Sequence, residues 1–197
     1  MNWLEALAVA FGIVSVYLSV RQKIWSWPTA IVNVLLYFVV FRTAKLYADM
    51  GLQLVYFALS VYGWYEWLYG GEHRTVLRVS RGTPRMALVL LGITAASVAI
   101  LGTLLARTTD AALPYLDSAT TSTSLAAQWM MTRKVLENWA VWMVVDVVYV
   151  GMFLYKSLYL TAALYAVFFV LAAMGWAQWK RSYEADRAAR ARLAAAT

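Results

Sequence analysis

With 63% hydrophobic and only 14% charged side chains in 197 residues, and a mean hydropathy of +0.62, the chain is too apolar for a soluble domain and reads as an integral membrane protein. It has no Cys and one His, His73, in a polar stretch; this excludes a disulfide framework and a thiolate metal site, and no cofactor or metal is expected. The formal charge of +7 sits in loops and the C-terminal tail, a distribution that fits an anionic lipid surface and not nucleic acid.

In chain order, apolar runs of spanning length fall at 3–20, 26–42, 46–69, 86–106, 137–155 and 158–179. Each approaches the ~20 residues that cross a hydrocarbon core of about 30 Å. A weaker run at 117–132 carries Asp117, Ser118, Thr120, Thr121, Ser122, Thr123, Ser124 and Gln128; it counts as a seventh helix because the repeat described below requires it. Pro28 falls in the first turn of the second helix, where proline is tolerated, with Ser26 expected as N-cap. Nothing basic precedes Arg21, so the first run is not expected to be a removable signal peptide.

Seven spans divide the Lys and Arg residues unevenly. Arg21, Lys23, Arg74, Arg78, Arg81, Arg85, Arg133, Lys134, Lys180, Arg181, Arg187, Arg190 and Arg192 fall on one side, and Arg42, Lys45, Arg107 and Lys156 on the other. The positive-inside rule then puts the N-terminus outside and the C-terminus in the cytoplasm, with residues 180–197 as a basic, solvated helix end.

A shift of 112 positions brings Arg21 onto Arg133, Trp27 onto Trp139, Tyr37 onto Tyr149 and Phe41 onto Phe153. It also brings Leu46 onto Leu158, Leu52 onto Leu164, and Gly63, Trp64 and Trp67 onto Gly175, Trp176 and Trp179. The expected fold is therefore all-α, with seven transmembrane helices in a 3+1+3 parallel-repeat, SWEET-like arrangement. Its parts are a first repeat at 1–67, a loop and linker helix at 68–112, a second repeat at 113–179 and the tail. A solute would bind between the halves, near the midplane.

Three stripes can face such an interface: Gln53, Tyr56, Ser60, Trp64 and Trp67 on the third helix; Asp117, Thr121, Ser124 and Gln128 on the fifth; Trp139, Trp142, Asp146, Tyr149 and Phe153 on the sixth. Trp64, Trp67, Trp176 and Trp179 fall near helix ends, where they read first as an ordinary interfacial belt. Asn33, Gln53 and the Ser/Thr run can hold helices together or touch a solute. Asp146 stands apart, because a charge at the bilayer centre costs about 2.5–3.5 kcal/mol on insertion scales. Aromatic faces, a carboxylate, amides and hydroxyls suit a flat, cationic, hydroxyl-bearing solute. No nucleotide-binding loop is present, and an intramembrane enzyme would have only Asp146, Asp117, Glu137 and Glu66 to work with. A non-transporting scaffold would use the same aromatics for packing alone.

The blocks WPTAIVNVLLY, KLYADMGLQLVYF, VYGWYEW, MTRKVLENWAVW and GWAQW resemble the PnuC-type vitamin transporters over nearly the whole chain. The resemblance implies a SWEET-like homotrimer in the bacterial inner membrane. It also implies facilitated diffusion of nicotinamide riboside, or of thiamine or riboflavin, trapped afterwards by a kinase, and no enzymatic activity. Gln53, Asn138, Trp139 and Trp142 match family positions. Where nicotinamide riboside carriers are expected to bear asparagines, this chain has Ser60, Asp146 and Met174. The expected solute contacts are Asn33, Gln53, Tyr56, Ser60, Trp64, Thr121, Ser124, Gln128, Asn138, Trp139, Trp142 and Asp146.

Overall fold

The seven runs become seven helices in a computed structural model that describes residues 3–109, 113–155 and 157–195, with only the backbone described at 47 and 48. They are α1 (Trp3–Val20), α2 (Ser26–Thr43), α3 (Tyr47–Tyr69), α4 (Pro84–Thr108), α5 (Pro114–Thr132), α6 (Asn138–Tyr155) and α7 (Tyr159–Ala195). Lys156, counted in the charge census, lies outside the described residues. By length and composition, α1, α2, α4, α6 and α7 are apolar enough to cross a membrane, whereas α3 and α5 are not.

The polar character of α5 has a packing cause. It touches α3, α4 and α6, so little of it is left for lipid, and Ser118, Thr120, Ser122, Ser124 and Thr132 are all buried. Small hydroxyl side chains permit close helix approach, and Ser118 and Thr120 return their hydroxyls to the carbonyls of Pro114 and Leu116. The remaining contacts close a ring in which α1 touches α2, α2 touches α3, α3 touches α5, α5 touches α6, α6 touches α7, and α7 returns to α1. Helix α4 lies outside this ring against α5, where a Cβ on Gly102 would run into the Tyr115 ring.

The turns are built twice. Gln22 and Lys134, 112 positions apart, end α1 and α5 with left-handed φ values of 53° and 49°. Lys45 and Ser157 do the same after α2 and α6, at 60° and 58°. Each closes its helix by a paired backbone bond of the Schellman type: Lys23 N to Leu18 O (2.9 Å) matches Val135 N to Met130 O (3.0 Å), and Leu46 N to Phe41 O (2.9 Å) matches Leu158 N to Phe153 O (2.8 Å). Ser26 is not the N-cap of α2. The helix begins at Ser26 itself after Trp25, whose backbone is already αR, and no side chain caps it. Thr83 does cap α4, accepting from Met86 N at 3.2 Å ahead of Pro84.

At the end that carries the α1–α2 and α5–α6 turns, four tryptophans form the core. Trp27 meets Trp67 edge-on at 5.3 Å, Trp67 meets Trp179 at 5.8 Å, and Trp179 meets Trp139 at 5.3 Å. Such pairs add ~0.5–1.5 kcal/mol each beyond the area they bury. Trp67 and Trp179 are thus core residues, only 2% and 0% exposed, and do not belong to an interfacial belt. Beyond them α7 continues to Ala195; its 37 residues span roughly 55 Å, well past a 30 Å core.

Candidate functional site

Inside the ring lies a cavity of about 430 Å³ with lining residues from α1, α2, α3, α5, α6 and α7. Trp27 and Trp139 stand at its tryptophan end, where glycine makes room for them. A Cβ on Gly63 would collide with the Trp27 indole and one on Gly175 with the Trp139 indole, so α3 and α7 each offer a bare backbone to the tryptophan beside it. Toward the other end the lining is again aromatic. Tyr37 stacks on Phe41 at 5.6 Å and Tyr149 on Phe153 at 5.8 Å, pairs that are once more 112 positions apart.

Of the twelve residues expected to contact solute, nine line this cavity: Asn33, Gln53, Tyr56, Ser60, Ser124, Gln128, Trp139, Trp142 and Asp146. Trp64, Thr121 and Asn138 are not among the lining residues. Trp64 lies on the outer surface of α3, 38% exposed, and Asn138 is fully buried at the start of α6, where its amide donates to Val135 O at 2.6 Å. Ser60 and Asp146, two of the three departures from the family pattern, face the cavity, whereas Met174 is 46% exposed on α7.

Several lining residues are not among the twelve expected solute contacts: Trp27, Tyr37, Phe41, Tyr149, Tyr165 and Phe168. For Trp27, Tyr37, Phe41 and Tyr149 the signal was the repeat itself. Aromatics retained at positions 112 residues apart mark the lining that they share. Phe168 carries the same signal, its counterpart 112 positions earlier being Tyr56, whereas Tyr165 does not, because its counterpart is Gln53.

The counterparts reveal two unlike walls. Gln53, Tyr56, Ser60, Ser124, Gln128 and Asp146, on α3, α5 and α6, line one side of the cavity; at the matched positions Tyr165, Phe168, Ala172, Gly12, Val16 and Val34 line the other, on α7, α1 and α2. Two polar groups on the second wall are committed to backbone, Ser15 Oγ donating to Ser26 O at 2.9 Å and Asn33 Nδ2 to Ala8 O at 2.6 Å, whereas Ser26 Oγ has no partner among the described residues. Asp146 is 3% exposed and makes no hydrogen bond or ion pair with another described residue. Among the described residues, no Lys, Arg or His lines the cavity. The arrangement offers a polar, acidic wall opposite an apolar, aromatic one, and no positive group to receive a phosphate.

Residues 2–181 match the family model described as nicotinamide mononucleotide transporter. The chain is 26% identical to the nicotinamide riboside transporter PnuC of Escherichia coli (strain K12), with 92% of this chain and 87% of that protein covered. It is 31% identical to the nicotinamide riboside transporter PnuC of Neisseria mucosa, over 77% of this chain and 59% of that one. Against the riboflavin/roseoflavin transporter RibM of Streptomyces davaonensis it is 25% identical, over 90% and 84%. A crystal structure of the vitamin B3 transporter PnuC superposes with a TM-score of 0.70 at 26% identity, covering 92% of this chain and 82% of that one.

Proposed function

The chain belongs to the nicotinamide mononucleotide transporter family, and on that premise we propose that it is a membrane transporter for nicotinamide riboside. The observation that carries the reading is the cavity: a polar wall, an aromatic wall and, among the described residues, one buried, unpaired carboxylate and no basic side chain. A pyridinium ring is flat and cationic, and gains from Asp146 and from aromatic faces, an attraction of about 2 kcal/mol when desolvated. Its ribose hydroxyls need partners, which Gln53, Ser60 and Gln128 supply. A phosphate would meet Asp146 and no cation, so the nucleoside is favoured over the nucleotide. Trp139 and Trp142 stack on the ring.

Thiamine, also cationic, is the nearest rival. Riboflavin, which enters through the likeness to RibM, is neutral and gains nothing from Asp146. The reading includes uniport by rocking of two parallel repeats, residues 1–67 and 113–179, with 68–112 as the link between them. Seams α1·α7 and α3·α5 would be the matched contacts between the repeats, and the duplicated turns and tryptophan pairs support this. The end rich in Lys and Arg is cytoplasmic in this reading, with the N-terminus outside, and the protein assembles as a homotrimer in the bacterial inner membrane. Uptake of labelled nicotinamide riboside into liposomes holding the purified protein tests it. Uptake that saturates, needs no ion gradient and is blocked by unlabelled riboside is expected; liposomes that stay as impermeable as protein-free ones would refute it.

A further inference from the structure

The two seams that join the halves share one bond. Trp67 Nε1 donates to Met131 O across α3·α5 at 3.1 Å, and Trp179 Nε1 donates to Ser19 O across α1·α7 at 3.0 Å; donors and acceptors are each 112 positions apart. Beyond that bond the seams differ. At α3·α5, Arg133 Nη1 holds Glu66 Oε2 at 2.7 Å and the Tyr62 hydroxyl at 3.1 Å. Lys134 lies over the Trp67 ring at 4.4 Å and donates to Leu77 O at 2.9 Å. The segment after α3 then doubles back onto the α5–α6 turn. Ser80 N donates to Lys134 O at 3.0 Å, Leu136 N to Ser80 O at 2.9 Å, and Glu137 takes Arg81 Nε and Gly82 N at 2.8 Å each.

None of this has a counterpart at α1·α7. The matched residues are Arg21, Gln22, Met174 and Gln178, which form no ion pair with one another among the described residues, and α7 runs straight on where the other half turns back. One exposed ion pair, Arg78 with Asp186 at 3.7 Å, reaches α7 from the folded-back segment, and it is open to solvent screening. Ser19, Val16 and Ala172, along the weakly held seam, line the cavity, so parting α1 from α7 would open the cavity to that end directly.

We propose that the solute leaves toward the basic end between α1 and α7, while α3·α5 stays latched and serves as the hinge line. This rests on the transport reading above. It gives the matched halves unequal tasks: Glu66, Tyr62, Arg133 and Lys134 position the hinge, and the single Trp179–Ser19 bond is the one that must break. Two bonds of the same kind then differ in role because only one is backed by an ion pair, a buried lysine and a folded-back segment.

The chain has no Cys, so engineered pairs carry the only thiols. Arg21→Cys with Gln178→Cys spans one seam, and Glu66→Cys with Arg133→Cys spans the other at the matched positions. Each variant is compared in liposomes before and after closure by a short thiol-reactive bridge. Closing 21 to 178 is expected to lower nicotinamide riboside uptake at least tenfold, and closing 66 to 133 to change it less than twofold. The reverse order, equal block at both seams, or block at neither would overturn the proposal. Spin labels on the 21/178 pair, which leaves the Glu66–Arg133 ion pair intact, read in bilayers without solute, provide a second measurement independent of solute identity. Two distance populations at 21/178 are expected; a single population there would overturn it. If the unbridged proteins take up no riboside, the substrate reading fails while the distances still decide the seam.

Discussion

Val34 and Asp146 occupy matched positions 112 residues apart on α2 and α6, and both line the cavity, one apolar and one ionisable. The scaffold accepts valine at this position, so the fold does not require a carboxylate there. Asp146→Val, which copies the matched position, is therefore expected to leave the protein folded and to weaken binding of a cationic solute. Two charges 4 Å apart at an effective dielectric of about 20 attract by ~4 kcal/mol, and water in the cavity reduces this. A loss of roughly tenfold or more in affinity, ~1.4 kcal/mol, is expected by calorimetry for the riboside, with little change for a neutral flavin.

Trp142→Ala removes an aromatic face from the cavity and deletes none of the tryptophan core pairs, although Trp142 packs against that cluster. At about 2 kcal/mol for a desolvated cation on an indole, affinity should fall roughly 30-fold. Trp64→Ala, on the outer surface of the same protein, should leave affinity unchanged within about twofold, a contrast that separates solute contact from general aromatic packing.

The sequence made the framework readable because aromatics and turns recur at a constant offset, and that offset survives in the cavity lining, the helix ends and the ring pairs. It did not distinguish a core tryptophan from an interfacial one. Trp67 and Trp179 sit near helix ends as a belt tryptophan would, and their burial depends on α3 and α7 meeting across the two seams, a contact between residues 112 apart in the chain. Of the α5 stripe, Ser124 and Gln128 line the cavity and Asp117 and Thr121 do not. A helix buried on three sides has hydroxyls all round and no apolar stripe to fix its rotation.

Gly63→Ala and Gly175→Ala should each destabilise the protein, by about 1–3 kcal/mol, because a methyl group there meets a tryptophan ring wedged between helices. Thermal unfolding in detergent should show two losses of similar size. Gly151→Ala, where a Cβ meets nothing within 4 Å, should show none.

Lys134 is buried in the turn between α5 and α6, and burial pushes its amine down to about 8, partly countered by Asp186. A base held below its unfolded value of 10.5 is bound by fewer protons in the folded state, so folded stability rises with pH between about 8 and 10.5. The wild type should gain melting temperature across that window relative to Lys134→Gln, which carries the residue found at the matched position 22; identical pH profiles would remove Lys134 as the cause.

Calorimetric titration of the purified protein with nicotinamide riboside, thiamine and riboflavin under one set of conditions bears most directly on what the cavity is for. Saturable binding of the riboside, tighter than either vitamin and weakened by Asp146→Val, is predicted. Tight thiamine or riboflavin binding with no heat from the riboside would contradict the assignment.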